Sequence, residues 1–305
     1  MKIYNDKGIE LDDMDITALH NNNIVYAALN GEAFLKDNII KQYEKIKNIF
    51  EKGADEIYEA KNLITDKIVA IKKKDLTRFK LDDIYSLSRD AQFLSTLKNK
   101  NIIKIYNHFM TNENLYIIMK EAKGGNLAQE LRTKKDGLPE ETCKKYFKQI
   151  YNAIKYIHNN NIIHGGLKPE NLVFLDEKKT RLVLIDFKLS SLSIPVSNRD
   201  KIKITTAPYI PPETIMEVDS KRLPSYDMWG LGIVLYELKF GTVPFKGKNI
   251  DEIFNNIVNQ PLTFPTKCKI SETLYDLIFS LLKKNIHERI DITSPLFEQW
   301  FEDEK

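Results

Sequence analysis

Three stretches of the chain carry residue types that phosphate chemistry needs. Val69-Ala70-Ile71-Lys72 closes an alternating run, and His164-Gly165-Gly166-Leu167-Lys168-Pro169-Glu170-Asn171-Leu172 follows an apolar helical one. Asp186-Phe187 lies fourteen residues beyond Leu172. Lys72 is a cation on a rigid strand, suited to the phosphates of a nucleotide. Asn171 and Asp186 offer oxygen ligands of the kind Mg²⁺ takes, and Lys168 could neutralise a phosphate in transfer. Singly, each has an ordinary structural role, Lys72 as a solvated strand lysine and Asp186 as a turn residue. As an ordered set they are poorly explained that way.

Such residues need a frame, and the hydrophobic pattern supplies one. Alternation over residues 43–50, 57–62 and 67–74 predicts three strands of an antiparallel sheet with one face on a core. Ile84, Leu87, Ala91, Leu94 and Leu97 recur at helical spacing and predict a helix over 83–97, followed by strands at 101–109 and 115–121. Beyond Gly124-Gly125 the pattern turns helical, over 140–159, 226–240, 250–259 and 271–284. A small β-rich unit therefore precedes a larger helical one. Residues 1–40 read as a further small β unit, with strands at 3–4, 9–11 and 24–29 and turns at Asn5-Asp6-Lys7-Gly8 and Asn30-Gly31.

Composition narrows the function. The chain has 305 residues, 42% of them hydrophobic and 29% charged, as in an ordinary globular protein. Forty-six basic against 43 acidic residues leave a net charge of +3, interspersed, which favours neither a nucleic-acid nor a membrane partner. Cys143 and Cys268 are too few for a disulfide scaffold or a zinc site, so a reducing, cytoplasmic setting is expected. The opening MKIYNDKGIELDD has no apolar signal-like core, and no run reaches the ~18 apolar residues of a membrane span.

Strand lysine, loop and aspartate, in this order and spacing, resemble the protein-kinase signature set. Pro211-Pro212-Glu213 is similar to the Ala-Pro-Glu that closes an activation segment, Asp227-Met228-Trp229-Gly230 to the buried helix after it, and Arg289 to the arginine that pairs with that glutamate. The likeness covers residues 43–300, and TTAPYIPPETI with LKPENL looks most like the calcium/calmodulin-dependent branch. It implies an α+β bilobal kinase-like fold: a small antiparallel β N-lobe with one helix over 43–122 and a larger helical C-lobe over 123–305. The candidate cofactors are ATP and Mg²⁺. Ile57, Ala70, Met119 and Val173 would contact the nucleotide, and Asn171 and Asp186 would hold the metal. A hydrophobic spine maps to Leu94, Ile105, His164 and Phe187, anchored by Asp227, although His164 reads equally as ordinary core. Residues 1–40, through GIELDDMD and VYAALNGEAF, resemble about half of a doublecortin-like, ubiquitin-fold module, which makes microtubules an alternative partner.

Against this background several positions depart from the pattern. Gly166 stands where active members carry the aspartate that accepts the substrate's proton, and glycine has nothing to accept it with. Gly165 replaces the arginine that would gather a phosphorylated loop, so phosphates on Ser191, Ser197, Thr205 or Thr206 would lack their usual partner. The three glycines of the phosphate-covering turn become Phe50, Lys52 and Asp55, with Gly53 one place out of register. Asp55 would repel phosphate, offset by Lys52 through pairing or direct binding. Asp90 takes the place of the glutamate that pairs with Lys72, one methylene shorter. Lys188 replaces the glycine after Asp186-Phe187 and would either bridge to Asp186 in place of Mg²⁺ or contact a phosphate. The expected function is that of a pseudokinase, a scaffold or allosteric regulator of protein partners. The alternatives are an atypical Ser/Thr kinase and a microtubule-binding protein.

Overall fold

The computed structural model describes residues 2–4, 10–11, 26–28, 37–52, 55–111, 113–186, 202–217, 224–266 and 268–303. Strands β1 (Lys2–Tyr4), β2 (Glu10–Leu11) and β3 (Tyr26–Ala28) pair antiparallel in the order β2-β1-β3. The rest of the doublecortin-like likeness lies outside the described residues. Helix α1 (Asp37–Ile40) then leads into a five-stranded antiparallel sheet. Its members are β4 (Tyr43–Lys52), β5 (Asp55–Asn62), β6 (Ile68–Asp75), β7 (Ile105–Met110) and β8 (Asn114–Lys120), in the order β4-β5-β6-β8-β7.

Strand alternation gives the sheet two faces. Tyr58, Ala60, Val69, Ile71, Tyr116 and Ile118 share one face and form a core with Phe109 and Ile39. Leu115 belongs to the opposite face and packs with Leu76 and with Ala91 of helix α2 (Leu81–Thr96), against which Ile84, Leu87 and Ile117 also lie. Alternation fails on the edge strand β4. Register shifts between Lys45 and Lys47 and between Asn48 and Phe50 leave Ile46 and Ile49 48% and 52% exposed, because each bulge turns the next side chain to the other face.

Sequence and structure also part over residues 101–109, where the strand begins only at Ile105. Ile102 and Ile103 look strand-like because they are buried, but Ile102 bridges to Leu184 and packs in the helical unit's core. Residues 96–104 belong to that second unit, with 122–305.

The second unit comprises α3 (Leu127–Arg132), α4 (Glu140–Asn159), the hairpin β9 (Leu172–Phe174) and β10 (Leu182–Leu184), α5 (Pro212–Ile215), α6 (Pro224–Phe240), α7 (Ile250–Asn259), α8 (Glu272–Leu281) and α9 (Leu296–Glu302). The α+β arrangement expected from the sequence, an antiparallel sheet unit followed by a helical one, is the arrangement found. Helix α4 buries Cys143, Phe147, Ile150, Ile154 and Ile157, one stripe at helical spacing. Helix α6 is apolar on all sides and buried from Asp227 to Leu235, so other elements pack around it. Its Gly230 admits the chain at Leu167, whose Cβ would lie 3.1 Å from any Cβ added there. Capping fixes the helix starts: Asn126 and Gln129 form a reciprocal box on α3, and Asn249 and Ser271 accept from the first-turn amides of α7 and α8. Glu140 ties three helices by accepting from Ser271 and from the Trp300 indole, 3.0 Å away.

Lys284 makes this core pH-sensitive. Its ammonium lies 3.7 Å from the Phe245 ring centroid and donates to the Ile257 carbonyl at the end of α7. Burial pushes its pKa down to about 8. A folded pKa below the unfolded one penalises folding while the lysine is charged in both states, below pH ~8, and the penalty fades as pH rises toward ~10.4. Because the side chain is only partly buried, solvent screening reduces the expected gain to about 1 kcal/mol. Chemical denaturation at pH 7 and pH 10 should show that gain, and Lys284→Met should lack it; equal pH slopes would refute it.

Candidate functional site

In the sheet unit the register aligns Lys72 with Ile57 on β5 and with Ile117 on β8, and Ala70 with Met119 on β8. Ile57, Ala70, Lys72 and Met119 therefore share one face, which α2 covers in part. Asp90 is half-buried on α2.

The same face carries an ion pair that changes the electrostatic expectation. Asp55 meets Lys74 Nζ at 2.7 Å, so its carboxylate is neutralised locally by the next same-face lysine after Lys72. Asp55 thus has a described ion pair with Lys74, while the side chain of Lys52 lies outside the description. The β4–β5 ladder continues to Lys52 opposite Asp55, leaving two residues between the strands. Cross-strand pairs Lys45–Glu56 and Lys47–Glu59 add to it. Phe50 and Lys52, two of the positions where a phosphate-covering turn has glycine, are paired in this ladder with Ile57 and Asp55.

In the helical unit one carboxylate organises the loop. Asp227 is fully buried and accepts from the amides of His164 and Gly165, each at 2.8 Å, and lies 2.9 Å from His158 Nε2. His164, also fully buried, accepts from the Gly166 amide at Nδ1 and meets the Ile185 carbonyl at Nε2, 3.0 Å away. These contacts fit a neutral imidazole with its proton on Nε2. Gly165 has φ +66°, where an arginine would be strained and a glycine is not.

Beyond Gly166, the Asn171 amide donates to the Gly166 carbonyl at 2.8 Å, and the Asn171 carbonyl accepts from the Ile185 amide at 2.9 Å. Ile185 is thus held from both sides, which sets the start of Asp186, itself at φ +62°. A non-glycine residue there occupies a sparsely populated region that its surroundings must enforce. With its amide committed, Asn171 keeps Oδ1 for a cation. One carboxamide and one carboxylate fit Mg²⁺, which binds through one or two protein oxygens plus phosphates and water. Lys168 Nζ donates to Thr206 Oγ1 at 3.1 Å. Val173 lies half-buried on β9. Phe187, Lys188, Ser191 and Ser197 lie outside the described residues, as do the contacts expected of Lys188.

His158 and Tyr209 escaped the sequence reading, and Thr206, expected there only as a phosphate-bearing hydroxyl, has a partner of its own. His158 holds Asp227, and its clue was a polar residue on the apolar stripe of α4, one place past Ile157. Thr206 is the hydroxyl beside Lys168. Tyr209 donates to Glu237, whose pKa is raised by burial and further by Glu170. Glu170 therefore acts on the Glu237 side of the loop, and no hydrogen bond or ion pair brings a carboxylate to Lys168 among the described residues.

Glu213 and Arg289 form a bidentate pair at 2.7 and 2.8 Å. The protein kinase domain family matches residues 43–301. The chain belongs to that family. Its kinase domain is 32% identical over 231 residues to "Calcium-dependent protein kinase 5" of Plasmodium falciparum, covering 75% of this chain and 40% of that protein. It is 31% identical over 247 residues to "Serine/threonine-protein kinase Aurora-2" of Arabidopsis thaliana, covering 80% and 84%. It is 30% identical over 271 residues to "CBL-interacting protein kinase 10" of rice, covering 87% and 58%. The chain spans under half the length of the two Plasmodium calcium-dependent kinases 5 that it matches. No described helix of the kinase domain is long and apolar enough to cross a membrane.

Proposed function

We propose that this kinase domain works as a pseudokinase, a scaffold or allosteric regulator of a protein partner with little or no phosphoryl transfer. The observation that carries the reading is Gly166. The catalytic loop around it is held by Asp227, His164 and Asn171, yet the residue at its centre has no side chain to take a proton. The neighbouring Lys168 is a cation resting on Thr206 and cannot act as a base while protonated. Loss of a positioned base costs about 10²–10⁴-fold in rate. Phe50 and Lys52, side-chain-bearing residues in the β4–β5 ladder at positions expected to be glycine, support the same conclusion from the phosphate side. A well-packed fold remains, and with it surfaces that a partner can read.

The direct test is transfer of γ-phosphate to Ser/Thr peptides by the purified chain. A trace rate unaffected by Lys72→Ala is expected; a substantial rate abolished by that substitution would overturn the reading.

A second reading, an atypical Ser/Thr kinase, is favoured by Asn171 Oδ1, which accepts no hydrogen bond among the described residues, and by the Asp55–Lys74 pair, which removes much of the expected repulsion of phosphate. When bound, Mg²⁺·ATP would supply the phosphoryl group, and Lys72, Lys168, Asn171 and Asp186 are the residues to hold it. Thermal shift separates the readings. Ligand at a hundred times Kd adds ~2.7 kcal/mol. Millimolar ATP, with or without Mg²⁺, is expected to give much less, and a full Mg²⁺-dependent shift would favour the second reading.

A further inference from the structure

Helix α4 is a ridge between two surfaces of opposite charge. On one flank Gln149 gathers three segments. Its Nε2 donates to the Thr180 carbonyl, and its Oε1 accepts from the Leu182 amide and from Asn101 Nδ2. Around it Lys98, Lys100, Lys145, Lys148 and Arg181 are exposed, and none is paired with a carboxylate among the described residues. Asp176, the carboxylate beside Arg181, is turned onto the amides of Thr180 and Arg181. Glu141, one turn before Lys145, pairs with Lys144 at 3.4 Å, and the cations still outnumber the carboxylates on this flank.

On the other flank α8 and α9 line a shallow, open cleft formed by Glu272, Thr273, Asp276, Gln299, Glu302 and Asp303. Glu272, Asp276 and Glu302 are exposed and make no ion pair among the described residues. The two surfaces adjoin: Lys144 donates to the Asp303 carbonyl, and Lys148 lies over the Phe301 ring.

We propose that this face is where two copies of the chain meet, the cationic ridge of each seated on the acidic cleft of the other. Each surface repels itself, and each is the other's complement. Because they are neighbours on one face, a two-fold axis between them matches both pairs at once and closes the assembly as a dimer. On opposite sides of the unit, the same charges would build an open chain. A polyanion such as RNA, or an anionic membrane, would meet the carboxylates of the cleft beside the lysines. No large apolar side chain is exposed on this face to enter a bilayer.

Sedimentation velocity of the whole chain at about 100 µM tests the proposal, since surface ion pairs weaken with salt. A reversible dimer is expected at ~50 mM NaCl, with its association constant falling at least about 30-fold at ~500 mM. Lys145→Glu with Lys148→Glu should leave a monomer, and so should Asp276→Lys with Glu302→Lys. An equimolar mixture of the two variants should regain the dimer, because both contacts again join opposite charges, and this also shows that the variants are folded. A monomer throughout, variants that associate like the parent, or masses that grow past the dimer with concentration would each overturn it.

Discussion

Gly166→Asp is expected to raise γ-phosphate transfer to a Ser/Thr peptide by about 10²–10⁴-fold over the unchanged chain, the span that a positioned general base contributes. The backbone is prepared for it. Gly166 is not among the residues at positive φ, so a Cβ there brings no left-handed strain. Its amide is tied to His164 and its carbonyl to Asn171, so a carboxylate at this position would start from a fixed point. Lys168, now bonded to Thr206, would lie close in sequence to the new charge, and a nearby ammonium keeps a carboxylate ionised and able to accept a proton. The gain should fall in kcat rather than KM, since the group acts on the proton in flight. Gly166→Asn, equal in size and unable to act as a base, should gain nothing. A Gly166→Asp chain that binds Mg²⁺·ATP yet stays at the trace rate would move the deficit to the β4–β5 hairpin and sink position 166 as its cause.

Much of this domain was legible in the sequence because its chemistry is local. The His164 to Leu172 loop and Val69 to Lys72 are contiguous, and each is fixed by elements whose periodicity is plain, the stripe of α4 and the alternation of β6. Gly166 could be read as a missing base without coordinates, since absence of a side chain needs no geometry. What escaped was long-range pairing. Asp55 looked like a repulsive charge until the strand register set it beside Lys74, nineteen residues away. Lys168 and Thr206 are 38 apart, and Tyr209 and Glu237 are 28 apart. No periodicity reports such contacts, because they depend on where loops return. Ile102 misled for a related reason: its apolarity records burial in the helical core, not strand pairing. In sequence Gly165 reads as a lost arginine, whereas its φ of +66° shows that glycine also relieves strain there.

The largest stability effect is expected at the Glu213–Arg289 pair. The Arg289 side chain is wholly buried, and besides the two bonds to Glu213 it donates to the carbonyls of Lys283 at 3.1 Å and Ser225 at 3.0 Å. Its guanidinium carbon lies 5.2 Å from the Trp229 ring centroid. Arg289→Met leaves a carboxylate buried without its partner, which costs about 3–5 kcal/mol, and Glu213→Leu strands the guanidinium with a comparable loss. The double variant strands neither charge. It should recover much of the loss, short of the full amount, because the carbonyls of Lys283 and Ser225 would still lack a donor at about 1–3 kcal/mol. Denaturant titration of the four proteins closes the cycle, and the expected coupling is strongly favourable. Losses that simply add would mean the two side chains act independently. The functional consequence follows from the chain path. Glu213 closes the segment that carries Thr206, so a broken pair should free Thr206 from Lys168 before the α6 core melts, and Arg289→Met should show faster amide exchange at residues 204–209 than elsewhere in the helical unit.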